Sequence, residues 1–178
     1  MGALQNIRLG FRRRALLRIL GDVAGISKKR LNLDTASTVG LLFDGTNPEV
    51  QQAVLDYNDT LRIQYKKKVQ MLGFVDIDRE DTSLPFPSFS RKQMDWALRP
   101  TGKAVEQFLQ PSYDLLIVLS PLPHPVLEFV AAQVKAHLKV GPFSDDAPVF
   151  DVMIDHPNAS IPQFIREIET LLKKTNSN

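Results

Sequence analysis

The sequence predicts a doubly wound α/β domain: a mostly parallel sheet of about five to six strands in a Rossmann-like or flavodoxin-like three-layer fold, with an extra basic helix at the N-terminus. Three observations predict it. Short apolar runs recur, as at Val39-Gly40-Leu41-Leu42-Phe43 and Tyr113-Asp114-Leu115-Leu116-Ile117-Val118-Leu119. Such runs suit strands buried on both faces of a parallel sheet. Longer segments with helical spacing of apolar residues lie between them. The stretch from Tyr113 to Phe143 reads as strand, Pro-rich turn, helix, strand and Gly-Pro stop, which is one βαβ unit.

Length and composition bound the rest. A chain of 178 residues fits one domain with a proper core. Cysteine is absent, which removes disulfides, thiolate metal sites and cysteine nucleophiles. The three histidines, His124, His137 and His156, have no metal-binding spacing. No metal and no cofactor are therefore expected.

The net charge of +2 is unevenly shared. Residues 1–33 hold eight Lys and Arg against one Asp, hence +7; residues 34–178 hold fourteen against nineteen Asp and Glu, hence −5. The mildly acidic body argues against nucleic acid as a partner. No apolar run is long enough to span a membrane. Arg8, Arg12, Arg13, Arg14 and Arg18 break what would have to be the apolar core of a secretory signal. A cytoplasmic protein is the expectation.

Residues 1–33 read as a basic helix, with Leu4, Ile7 and Phe11 on one face and Gly25 near its end. The five arginines make it a candidate for docking on a partner protein or on an anionic membrane surface, which would place the chain at the inner face of the membrane. A second copy of the chain is a further expected partner. Strand 39–43 ends at Asp44-Gly45-Thr46, and Thr46-Asn47-Pro48-Glu49 predicts a capped helix start. That helix runs to about Tyr65 and is closed by Lys66-Lys67-Lys68. Val69 to Val75 is the second strand, and Asp76 to Lys92 a long loop that is either functional or a cover for apolar surface.

Gln93 to Leu98 reads as a short strand, followed by a helix capped by Thr101. Strand 113–119, a helix over 126–137 and a strand at Leu138-Lys139-Val140 come next. Val149 to Ile154 is the last strand. Ser160 caps a final helix whose apolar stripe is Ile161, Phe164, Ile165, Ile168, Leu171 and Leu172.

In an open α/β sheet ligands bind beyond the carboxyl ends of the strands. The residues that fall there are Asp44, Gly45, Thr46, Asp76, Arg99, Thr101, Lys103, Ser120 and His124. Arg99-Pro100-Thr101-Gly102-Lys103 offers two cations, a hydroxyl and free backbone N–H groups at a helix start, which suits a small anionic ligand. It lacks the GxxxxGK[ST] spacing of a Walker loop, and no G-x-G-x-x-G is present. His124 stands among three prolines, where a general base could sit. No nucleophile motif accompanies it. With no catalytic motif complete, the expectation is a non-enzymatic interaction domain; a binder of a phosphorylated or nucleotide-type ligand is the alternative.

Leu42-Phe43-Asp44-Gly45-Thr46 resembles the tail of the haloacid dehalogenase motif, but Leu42 stands where that chemistry needs a nucleophilic carboxylate. The chain as a whole resembles an uncharacterised family of small Bacteroidota proteins, known only as a domain of unknown function. The likeness is carried by residues 39–46, by Leu72-Gly73-Phe74-Val75-Asp76, by Trp96-Ala97-Leu98-Arg99-Pro100 and by residues 113–119. It continues through Lys139-Val140-Gly141-Pro142-Phe143 and Asp151-Val152-Met153-Ile154. Asp114 to Gly141 is similar to one half of the heptosyltransferase-type glycosyltransferases, an analogy of fold.

Overall fold

The computed structural model describes residues 31–77, 83–95, 99–145 and 149–174, together with Ile19. The described elements are, in order, β1 (Thr38–Asp44), α1 (Pro48–Asp59), β2 (Lys68–Val75), β3 (Ser88–Ser90), α2 (Lys103–Leu109), β4 (Ser112–Leu119), α3 (Pro125–Gln133), β5 (Lys135–Pro142), β6 (Val152–Ile154) and α4 (Ile161–Lys174), with helices following β1, β3, β4 and β6. The six strands form one sheet in the order β3-β2-β1-β4-β5-β6. Every neighbouring pair is parallel. This is the Rossmann order, with its reversal between β1 and β4, and not the flavodoxin order.

Both sheet faces are buried, as the apolar runs predict. Leu42, Leu72, Phe74, Leu116 and Val118 pack with Val105 and Phe108 of α2 and Leu127 and Val130 of α3. The alternate residues Leu41, Phe43, Leu115, Ile117 and Leu119 pack with Val54 and Tyr57 of α1 and Phe164, Ile165, Ile168 and Leu172 of α4. Period-two alternation thus splits one apolar run between two cores. Full burial of each such side chain stabilises by about 1.5–3 kcal/mol. Burial leaves Tyr57 and Tyr113 with raised pKa values, so both phenols stay neutral. Ile19, half-buried, packs against the α2/α3 core. Arg8, Arg12, Arg13, Arg14 and Arg18 lie outside the described residues.

Several sequence expectations are corrected. Gln93 to Asp95, the described part of the expected strand at Gln93 to Leu98, is not a strand: Arg91–Gln93 is a 3-10 turn and Met94 makes a lone antiparallel bridge to Pro100, while residues 96–98 lie outside the described residues. The third strand comes earlier, at Ser88–Ser90, inside the stretch read as loop. The helix after the Pro-rich turn stops at Gln133, and residues from Lys135 onward already belong to β5. The last strand is only Val152–Ile154, although Val149 and Phe150 are buried. Leu171 is 40 % exposed and leaves the buried stripe of α4. Ser160 does cap α4, its Oγ accepting from Gln163 N at 3.4 Å while Gln163 Oε1 accepts from Ser160 N at 2.8 Å.

The first helix is α-helical only to Asp59 and then widens into a π turn over Thr60–Gln64, closed by Tyr65 N donating to Thr60 O at 3.3 Å. Lys66, at φ 55°, turns the chain into β2.

At the amino ends of the two central strands Asp114 clasps β4 to β1. Its Oδ2 accepts from Ser37 N at 2.8 Å, from Thr38 N at 3.1 Å and from Thr38 Oγ1 at 3.2 Å, and its own N–H donates to Thr38 Oγ1 at 2.8 Å. At α3's carboxyl end the buried Lys139 extends Nζ to the carbonyls of Ala131 at 2.7 Å and Ala132 at 3.3 Å, which satisfies acceptors the helix cannot.

Candidate functional site

The loops that leave the carboxyl ends of β1 and β4 diverge, because β1 continues toward β2 while β4 continues toward β5. A crevice opens between them. Asp44, the last residue of β1, is held by Thr46. Its Oδ1 accepts from Thr46 N at 3.0 Å and from Thr46 Oγ1. Gly45 N donates to Phe74 O at 2.7 Å and ties this turn to β2. Thr46 does not cap α1; Asn47 does, its Oδ1 accepting from Glu49 N at 2.8 Å, with Pro48 in the first turn. The threonine hydroxyl is engaged instead by Asp44 and by Asp76, whose N–H donates to Thr46 Oγ1 at 2.9 Å.

Asp76, just past β2, has its carboxylate bound by Arg91, with Nη2 to Oδ2 at 2.7 Å and Nε on Oδ1. This is a forked guanidinium–carboxylate pair. Arg91 is not among the residues that the sequence places at the strand ends. It lies 15 residues from Asp76 with no motif between them, so no sequence signal marks it.

His124 is the N-cap of α3. Its Nδ1 accepts from Leu127 N at 3.4 Å and its ring leans on Phe74 at 5.3 Å. A neutral ring that accepts at Nδ1 carries its proton at Nε2. That nitrogen faces Asp44 Oδ2 at 3.8 Å. Ser120 Oγ donates to Leu122 O at 2.6 Å. It is therefore not poised as a nucleophile against His124, and no Ser-His-Asp relay is formed. Asp44, Thr46, Asn47, Val50, Leu119, Ser120, Pro121 and Ile161 line a cavity of about 270 Å³ at this point.

The remaining expected residues stand apart. Arg99 Nε donates to Asp95 Oδ2 at 2.6 Å and Arg99 N to Asp95 Oδ1 at 3.0 Å. Thr101 does not cap α2: its hydroxyl donates to Gln93 O at 3.0 Å, and Gly102, at φ 103°, is the N-cap. Only glycine adopts that backbone freely. Lys103 is exposed at the first residue of α2. Asp76 is paired with Arg91, and among the described residues that line the cavity Asp44 is the charged one, which favours hydroxyl or amine donors over a phosphate. Among the described residues no group of three or more His, Cys, Asp or Glu could hold a metal ion.

Thr46→Val keeps the side-chain shape and removes the bridge between the ends of β1 and β2. The expected cost is about 1 kcal/mol, low in the range for a hydrogen bond because water reaches the freed groups. Urea unfolding of the two proteins measures it.

Residues 11–175 match the profile described as "Family of unknown function (DUF6913)", so the chain belongs to that family. No curated protein matches the chain.

Proposed function

We propose that the domain binds a small ligand at the β1/β4 crevice and holds it by its hydroxyl groups, as with the sugar moiety of a nucleotide-type compound. The observation that carries this reading is Asp44. One of its carboxylate oxygens is fixed by Thr46, the other is 3.8 Å from His124 Nε2, and the side chain lines the cavity at the switch point of the sheet. A fixed, partly exposed carboxylate is a ready acceptor for paired hydroxyls. Ser120 adds a hydroxyl on the β4 side of the same cavity. The likeness of Asp114 to Gly141 to a heptosyltransferase half-domain makes nucleotide-sugars the first compounds to try.

The test is a thermal-shift screen with nucleosides, nucleotide-sugars and sugar phosphates, repeated on Asp44→Asn. A compound present at a hundred times its dissociation constant adds about 2.7 kcal/mol. For a domain of this size that raises Tm by roughly 5–10 °C. Asp44→Asn is expected to weaken the hit at least tenfold, since the amide replaces one of the carboxylate's two acceptor oxygens with an NH2 group that only donates. A hit that Asp44→Asn leaves unchanged sinks the assignment to this crevice, and a flat panel counts against the ligand class.

A second reading rests on the charge split, +7 over residues 1–33 against −5 over the rest. In it the basic segment docks the domain on an anionic partner or membrane surface. Deleting the segment is a poor test, because Ile19, Leu31 and Leu33 pack with the domain. Replacing Arg8, Arg12, Arg13, Arg14 and Arg18 by Gln removes the charge and leaves Ile19, Leu31 and Leu33 in the sequence. If co-sedimentation with anionic vesicles is the same before and after, the membrane version of this reading is excluded.

A further inference from the structure

The amino-terminal half of β2 is an open sheet edge. β3 pairs only with Gly73, Phe74 and Val75. Residues 68–72 therefore have β1 on one side and, among the described residues, no strand on the other. Parity says which groups face outward. Gly73 N donates to Pro87 O, on the β3 side, at 3.0 Å. Met71 and Val69, two and four residues back, turn their N–H and C=O groups the same way.

Val69, Gln70 and Met71 of this edge line an open groove of about 570 Å³. Gln107 and Phe108 of α2 form one wall; Asn58 of α1 and Arg62 of the π turn form the other. Pro85 and Pro87 close the end where β3 begins. Helix α2 packs on one face of the sheet and α1 on the other, so the edge runs between them. An extended chain can enter. Gln107 and Gln110 supply primary amides, which complement peptide groups as both donors and acceptors, and Gln70 adds its NH2 group, its Oε1 accepting from the Tyr113 hydroxyl at 2.6 Å. Asn58 is 5 % exposed, and among the described residues its Oδ1 has no hydrogen-bond partner. Among the described residues Arg62 is the one charged group of the lining, and exposed Lys66 and Lys68 stand beside it in the chain at the start of β2. An unpaired edge of this kind is a template for an added strand.

We infer that the groove is a strand-addition site for an extended acidic peptide segment of a partner protein, whose backbone pairs with Val69 and Met71 and whose carboxylates meet Arg62 and Lys68. The site is separate from the β1/β4 crevice and does not depend on the ligand proposed there.

The experiment selects a random heptapeptide library on phage against the full chain, then titrates the winning peptides into ¹⁵N-labelled protein. The expected result is enrichment of Asp- and Glu-containing peptides that shift the amides of Val69 and Met71 and slow their hydrogen exchange. Arg62→Glu, at an exposed position, should weaken binding at least tenfold with an unchanged circular dichroism spectrum. N-methylation of the peptide at alternate residues, which leaves the protein untouched, should abolish it. No enrichment, enrichment of basic peptides, or shifts confined to the Asp44–His124 crevice would overturn the proposal. So would a concentration-dependent dimer that protects the same two amides, because it would put a second copy in the groove.

Discussion

Phe86→Ala is expected to destabilise the protein by about 3–5 kcal/mol, the cost of emptying a buried aromatic site. The ring is buried, lies edge-on to Phe43 at 4.9 Å and covers Gly73 of β2. The long segment after β2 thus serves in part as a cover for apolar surface. Gly73 is glycine because of that ring: a Cβ there would come within 2.6 Å of Phe86 Cε2 and 3.2 Å of Phe43 Cζ. Gly73→Ala alone should cost about 1–3 kcal/mol through overpacking. The double variant should cost little more than Phe86→Ala, because the added methyl enters space the ring has left. Denaturant unfolding of the four proteins closes the cycle, and a coupling of about 0.5–3 kcal/mol is expected. Strict additivity would mean that the ring moves aside freely and does not dictate the glycine.

Asp114→Ala is expected to cost about 1–3 kcal/mol, since Ser37 N, Thr38 N and the Thr38 hydroxyl all lose their acceptor. The same carboxylate governs part of the acid response. Desolvation pushes its pKa up, but the backbone N–H groups of Ser37 and Thr38, the Thr38 hydroxyl and the charge of His137 outweigh that, and the net shift is downward from 3.8. A carboxyl with a depressed folded-state pKa contributes its stability in full above its unfolded pKa, near pH 4, and loses it as pH falls through the folded value. The acid limb of the wild-type stability curve should therefore be steeper below about pH 4 than that of Asp114→Asn. Urea midpoints between pH 2 and pH 6 would show it; identical limbs would remove Asp114 from the account.

The central strands are legible in the sequence because burial on both faces writes an unbroken apolar run. Val39 to Phe43, Val69 to Val75 and Tyr113 to Leu119 each fall within a residue of the observed strand. β3 is not legible: Ser-Phe-Ser offers a single apolar residue, and its strand state comes from pairing with β2. The end of α3 is hidden because no Gly or Pro separates it from β5, and Val134 to Val140 suits either periodicity. The rule that ligands gather beyond the carboxyl ends of strands places Asp44, Thr46, Ser120 and His124 together, and Asp76 is joined to them through Thr46. It does not reveal pairing partners. Asp95 takes up Arg99 and Arg91 takes up Asp76, and only the folded loop brings these charges together.

The clasp between Thr38 and Asp114 joins residues 76 positions apart. β1, the strand beneath both cores, therefore finds its β4 neighbour only after most of the chain exists. At translation speeds of about 5–20 residues per second, the interval between the two strands leaving the ribosome is roughly 4–15 s. Over that time the β1–α1–β2 unit holds Leu41, Leu42 and Phe43 beside a vacant edge, the surface that chaperones recognise. The order of the strands along the gene thus sets how long the nascent chain needs protection.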